Sequence, residues 1–279
     1  MRHEAVGDFY FVCHELRSTQ DTEIFEQIKE GAIYEVIKLI DGIPLFFEAH
    51  MDRLKHSAEL AGGSLSKNDR EIRDEIRILV EKNRKDHINV KLILHREKET
   101  ELFLTYFIHS EYPGPDVYAK GIRTVLYGGE REMPNIKTLK DSFRNRVQGI
   151  REKTGAYEAL LVDQNGYVTE GSRSNIFFLK KEEIFTPPAG TVLLGVTRQQ
   201  VVKICRQLGL CFRERPLHTS ELGEIEGAFI TGTSVDVLPV SHVDDISLAS
   251  VSHPLIQRII QAFAKEISAY ITERKMMRK

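Results

Sequence analysis

Two short stretches carry residue types and spacing that suit a small anion. In Leu193-Leu194-Gly195-Val196-Thr197 a loop runs into the helical pattern RQQVVKICRQLG. Val196 and Thr197 then fall at a helix start, where unpaired backbone N–H groups and the dipole favour a phosphate; Thr197 is the expected cap. In Gly232-Thr233-Ser234 a small turn sets two hydroxyls, Thr233 and Ser234, between two apolar strands. Either stretch alone is a weak signal, since capped helices and Gly-Thr turns are common. A third candidate is the strand AIYEVIKLI over 32–40, whose period of two puts Tyr34, Val36 and Lys38 on one face. A tyrosine and a lysine about a valine make a poor core face and a plausible wall for a polar ligand. Taken singly, Arg53 in HMDRL reads as a solvated helix arginine. Lys137 in PNIKTL is one lysine among many, and Glu170 in TEGSRSN is a carboxylate at a strand end.

The elements that must position these residues read as α+β. Asp41-Gly42 turns the first strand into a return strand over 43–47, followed by a helix that Gly62-Gly63 closes. A second helix is expected from Ser66, with Ser66 and Asp69 as its capping pair, and then two strands, HINVKLILHR and TELFLTYFI. Pro113-Gly114-Pro115 marks a linker. The expected organisation is a small N-terminal domain over 1–112, a linker over 113–121 and a larger domain over 122–279. The second domain reads as a strand at 122–127, a helix ending at Gly155, and a hairpin turning at Asn165-Gly166. The strands NIFFLK, EIFTP, GAFIT and VDVLPV and a final helix over 254–272 complete it.

Composition narrows the function. With 39 Lys plus Arg against 41 Asp plus Glu, the net charge of −2 argues against a dedicated nucleic-acid or membrane-surface protein. No segment approaches the roughly 18 apolar residues of a membrane helix. Three cysteines without a CxxC pair point to a reducing, cytoplasmic setting, and Cys205 in its apolar helix reads as core. No metal ligand set is assigned.

Taken together and in order, YEVIK, HMDRLKHSA, IKTL, AYEALLVDQNGYVTEGSRSNIF, LLGVTR and FITGTSVDVLPV resemble the successive motifs of class IV aminotransferases. The resemblance runs over about 31–243. It implies a two-domain fold-type IV enzyme, with a small α+β N-terminal domain and a larger C-terminal domain with a barrel-like sheet. It also implies pyridoxal 5′-phosphate as cofactor, a homodimer, and an amino acid and a 2-oxo acid as partners. On this resemblance Lys137 is the Schiff-base lysine and Glu170 the carboxylate that faces the pyridine nitrogen. Arg53 is the phosphate-binding arginine, and Val196, Thr197, Thr233 and Ser234 complete the phosphate cup.

The same resemblance bears on the substrate. Tyr34, Val36 and Lys38 match the strand that lines the pocket of D-amino-acid aminotransferases. Arg96 falls on the position of that type's carboxylate-binding arginine. Its histidine partner is not reproduced, since the matching position is Lys98 and the nearby histidine is His95. Arg173, three residues after Glu170, and Lys91, on one strand face with Asn89 and His95, are the other cations considered. Ser142 stands where branched-chain aminotransferases carry a tyrosine. The expected activity is transamination of a D-amino acid such as D-alanine or D-glutamate. Branched-chain L-amino-acid transamination, an aminodeoxychorismate lyase and a non-catalytic cofactor-binding module are the alternatives.

Overall fold

The computed structural model describes residues 4–97, 100–131 and 133–277. The chain forms two compact units. The first is Met1–Glu111 with Ile136–Lys140 and Ile267–Lys279; the second is Tyr112–Asn135 with Asp141–Glu266.

In the first unit β1 (Ala5–Val12) and β2 (Glu15–Ser18) form a hairpin. Then follow β3 (Ile33–Ile40), β4 (Ile43–Pro44), α1 (Phe47–Leu60), α2 (Asp69–Asn83), β5 (Asn89–Glu97) and β6 (Thr100–Ile108). The sheet order is β2-β1-β6-β5-β3-β4. Asp41 and Gly42 both take positive φ, 52° and 69°, which is the primed turn that an Asp-Gly pair favours. The register Ile33↔Leu94, Tyr34↔Ile93, Val36↔Lys91 sorts the side chains to two faces. One face, with Ile33, Ile37, Leu39, Val90, Leu92, Leu94, Phe103 and Phe107, packs against Met51 and Leu54 of α1 and Ile72, Ile76 and Leu79 of α2. The other carries Tyr34, Ile93, Leu104 and Tyr106, packed with Tyr10, Phe25 and Ile28. The cap of α2 differs from expectation. Asn68 accepts from the N–H groups of Arg70 and Glu71, and Glu71 returns the bond to the Asn68 N–H. Asn68 thus fills the capping role that the Ser66–Asp69 spacing suggested two residues earlier.

The segment that contains Lys137 is paired to the edge of β3. The Tyr34 N–H donates to the Lys137 carbonyl at 2.9 Å, the Leu139 N–H to Ala32 O at 2.9 Å, and the Gly31 N–H to Leu139 O at 2.9 Å.

The second unit opens with α3 (Pro115–Lys120), inside the stretch read as linker. Pro115 sits in the first turn, where its missing N–H costs nothing. After it come β7 (Ile122–Gly128), α4 (Asp141–Thr154), β8 (Glu158–Val162), β9 (Tyr167–Gly171), β10 (Asn175–Lys180), β11 (Glu183–Thr186), α5 (Val196–Gln207), β12 (Cys211–Glu214), β13 (Leu217–His218), β14 (Gly227–Gly232), β15 (Asp236–Val243) and β16 (Ile246–Ser247). They form a ten-stranded mixed sheet, order β12-β11-β10-β14-β15-β7-β8-β9-β13 with β16 on β15, curled as a half-barrel. Its core gathers Leu160, Ile176, Phe178, Phe185, Leu217, Ile230, Leu238 and Val240. The last helix, α6 (Pro254–Met277), contributes residues to both units. No helix among the described residues is long and apolar enough to cross a membrane.

All three cysteines are free, with Cys13 and Cys211 exposed and Cys205 buried in α5. Burial pushes the Cys205 thiol up to about 12, because the thiolate would lose its hydration. An aromatic disulfide reagent should therefore titrate two thiols in the native protein and three after denaturation. Three fast native thiols would contradict this packing of α5.

Candidate active site

The first unit holds a buried charged group around Lys137. Glu35 lies on the helix-facing side of β3 and is fully buried. Arg53 of α1 grips it with both arms of its guanidinium, Nε to Oε1 at 2.7 Å and Nη2 to Oε2 at 2.7 Å. His50, one turn earlier on the same helix, brings Nδ1 to 2.9 Å of Glu35 Oε2. Arg53 is thus held rigidly in the protein, unlike the solvated arginine that its helix position alone suggests. Burial by itself would raise the Glu35 carboxyl. The charge and hydrogen bonds of Arg53, with the bond to His50, reverse that and hold it well below the usual carboxylate range. Burial is also the largest influence on His50 and lowers it. Glu35 pulls the other way, while the nearby charges of Arg53 and Lys137 add to the lowering. A neutral His50 donates to Glu35 through Nδ1–H, since the carboxylate only accepts.

Across the plane of the sheet, the Tyr34 ring centre lies 5.0 Å from Lys137 Nζ, in the range of a cation–π contact. Lys38 shares the Tyr34 face by the pleat and is buried. Arg96 does not: it has the parity of Leu94 and faces the α1 side. There it closes on Gly63, whose lack of a side chain makes room, and pairs with Glu101 through Nε at 3.0 Å and Nη2 at 2.6 Å. The cation that β5 presents on the Tyr34 face is Lys91. His95 is also buried, and its Nε2 has no hydrogen-bond partner among the described residues. Lys98 lies outside the described residues.

The second unit gathers the other expected residues. Glu170, at the end of β9, is buried; its Oε2 accepts from the Leu193 N–H at 3.2 Å, and Arg131 Nε stands 3.0 Å from Oε1. Arg131 also donates to Ser172 O at 2.6 Å, which ties it to the loop after Glu170. That loop is held from below by buried Glu158, which accepts from the Ser172 hydroxyl at 2.6 Å and the Ser174 hydroxyl at 2.9 Å. Leu193 leads directly into α5. Its N-cap is Gly195 and there is no side-chain cap, so Thr197 is the second helical residue and not the cap. A side chain at Gly195 would collide with the Asn175 amide, whose Nδ2 donates to Leu193 O at 2.8 Å. Asn175 is in turn the register partner of Thr231, the residue before Gly232-Thr233-Ser234. The two weak anion sites are therefore neighbours, joined through Asn175. Thr231 Oγ1 between them is buried without a partner among the described residues. Arg173 stands apart from this group. Its side chain is 55% exposed, its guanidinium lies 5.6 Å from the Tyr157 ring centre, and it approaches Glu158 only to 3.9 Å.

Helix-start N–H groups and hydroxyls are the donor set a phosphate monoester needs, and a buried carboxylate suits a pyridine nitrogen. The comparisons agree. The model of the family "Amino-transferase class IV" matches residues 32–243. The chain is 28% identical to the D-alanine aminotransferase of Bacillus licheniformis over 84% of this chain and 87% of that protein. It is 30% identical to the probable branched-chain-amino-acid aminotransferase of Thermotoga maritima over 81% and 82%. The solved branched-chain amino acid aminotransferase from Escherichia coli superposes with a TM-score of 0.81 at 22% identity, covering 94% of this chain and 95% of that one, which shows the fold. The chain belongs to the class IV aminotransferases and is a pyridoxal-phosphate enzyme.

Sequence reasoning passed over Glu35, His50, Arg131 and Asn175. The i,i+3 spacing of His50 and Arg53 opposite an acid on an otherwise apolar strand face was the available signal for the first two. Arg131 and Asn175 carry none beyond their nearness to Lys137 and Glu170 in the chain.

The Glu35–Arg53 pair is buried on both sides, so removing one partner should cost on the order of 3–5 kcal/mol. Arg53→Met should lower the melting temperature accordingly, and Glu35→Gln/Arg53→Met should recover most of the loss. An unchanged melting temperature in Arg53→Met would show that the pair is dispensable. The depressed His50 value stabilises the fold above the unfolded histidine range, near pH ~6.5, and that share is lost as pH falls below it. The stability gap between wild type and His50→Gln should therefore be flat above neutrality and shrink on acidification. A gap that widens would reverse the sign assigned here.

Proposed function

We propose that this enzyme transfers the amino group of a D-amino acid, such as D-alanine or D-glutamate, to a 2-oxo acid. The observation that carries the reading is the placing of Lys137 Nζ against Tyr34, on a strand face that also bears Lys38. Ser142 in the first turn of α4, where the branched-chain resemblance calls for a tyrosine, supports the same choice.

When bound, the cofactor supplies an aldehyde that condenses with amino groups and a ring that accepts electrons. Lys137 Nζ would hold that aldehyde and, once freed by the incoming amino acid, would take the proton from the substrate α-carbon and return it to the carbon that receives the amino group. Its backbone pairing to β3 limits the swing to the side chain. Glu170, aligned by Leu193 and Arg131, keeps a proton on the pyridine nitrogen, which makes the ring a better electron acceptor. Val196 and Thr197, with Thr233 and Ser234, donate to the phosphate, and Arg53 contributes its charge to the same group. We take the working form to be a cytoplasmic homodimer; a sedimentation mass of a single chain would remove the dimer from this reading.

The purified protein with added pyridoxal phosphate should show a yellow band that D-alanine bleaches and L-leucine does not. Lys137→Ala should lack the band and lose turnover by about 10³-fold or more. Wild-type turnover in that variant would end the assignment of Lys137. Bleaching by L-leucine alone would move the substrate to the branched-chain type, and a band that ignores both amino acids would favour the lyase.

A further inference from the structure

On the Tyr34 face of the first unit, a buried cation is matched by an anion from outside the sheet's regular pairing. Lys91 lies in the middle of β5, in register with Val36 of β3 and Tyr106 of β6. Its Nζ is 5.3 Å from the centre of the Tyr34 ring, the ring that Lys137 approaches to 5.0 Å, and 6.0 Å from that of Tyr106. Its side chain is only 2% exposed, and an ammonium so enclosed needs a counter-charge. Glu4 provides it: Nζ donates to Oε1 at 2.6 Å and to Oε2 at 2.8 Å, and the Tyr106 hydroxyl donates to Oε2 at 3.2 Å.

The two partners are held very differently. Lys91 is fixed by three paired strands, whereas Glu4 precedes β1, whose pairing with β6 begins at Ala5↔Ile108. The Glu4 side chain is 32% exposed. An ammonium and a phenol hydroxyl converging on one carboxylate form the donor set that holds a free carboxylate equally well. Exchange of one carboxylate for another keeps the charge balance and the hydrogen bonds.

We propose that Lys91 and Tyr106 form the carboxylate site for the amino-acid substrate, and that Glu4 is a tethered carboxylate which fills it until substrate takes its place. This rests on the reading of Lys137 as the reacting lysine, since it is the shared Tyr34 ring that puts the site beside the chemistry. A short tether acts like a ligand at millimolar concentration, so Glu4 sets a threshold that the substrate must exceed. Lys91 binds and orients; it takes no part in proton transfer.

The test uses glutarate, a dicarboxylate without an amino group, titrated calorimetrically into the cofactor-loaded protein. Glu4→Gln should bind glutarate about tenfold more tightly than wild type, and Glu4→Gln/Lys91→Met should not bind it. In turnover assays the KM of Glu4→Gln should fall by a similar factor with kcat little changed. A fall for both D-alanine and D-glutamate assigns the site to the α-carboxylate, and a fall for D-glutamate alone assigns it to the side-chain carboxylate. Glutarate affinity and both KM values unchanged in Glu4→Gln would overturn the proposal; because Glu4 lies outside the core, this arm stands even if Lys91→Met does not fold. The yellow band and its bleaching in wild type report separately on Lys137, so loss of that reading is distinguishable from loss of this one.

Discussion

The backbone pairing of residues 137–139 with the start of β3 is the constraint that fixes where Lys137 sits in the first unit. A lysine on a free loop would sample many positions. Here the Lys137 carbonyl and the Leu139 N–H just after it are tied to Tyr34 and Ala32, each at 2.9 Å. The Nζ therefore moves on its own side-chain torsions and little else. The pairing also fixes which neighbours it meets. Tyr34 is the residue whose N–H makes the bond, so its ring accompanies the lysine by construction.

The same strand solves an electrostatic problem. Glu35, next along β3, points to the opposite face into the packing of α1, where an isolated carboxylate would be untenable. Arg53 and His50 meet it from one helix turn, and the result is a rigid arginine in a place where sequence position alone suggests a mobile one. An arginine held this way has lost its side-chain entropy on folding, so an anion that meets it later does not have to order it. In the second unit Asn175 has a comparable role without charge. By filling the space that a side chain at Gly195 would occupy, it joins the α5 start to the Gly232 turn.

What could be read in the sequence was whatever local rules determine. The alternation of AIYEVIKLI, the Asp-Gly turn and the strand-turn-strand around Gly232 all appear as expected, because neighbours in the chain dictate them. The caps were less legible. Asn68 and Gly195 displaced Ser66 and Thr197 because a cap depends on where the helix axis starts, which packing decides to within a residue or two. β12 and β13 are short, and their pairing partners, β11 and β9, are distant in the chain. Arg131 and Asn175 were invisible for the same reason: their partners Glu170, Leu193 and Thr231 are brought to them by the sheet and by no repeat in the sequence.

Arg96 and Lys91 show how far such reasoning depends on parity. The resemblance to D-amino-acid aminotransferases places an arginine near the right point on β5, and the residue type is right for a carboxylate. A shift of one residue along a strand moves a side chain to the other face, and the register with β3 assigns Arg96 to the helices and Lys91 to the Tyr34 side. There Lys91 joins Lys38 and Lys137, which gives one face three ammonium groups carried on β3, its edge and its neighbour. Like charges on one face repel, and the fold accepts them only with anions to match. Glu4 supplies one from the chain itself. The ligands of an aminotransferase, a phosphate-bearing cofactor and a carboxylate-bearing amino acid, are the anions for which such a face is suited.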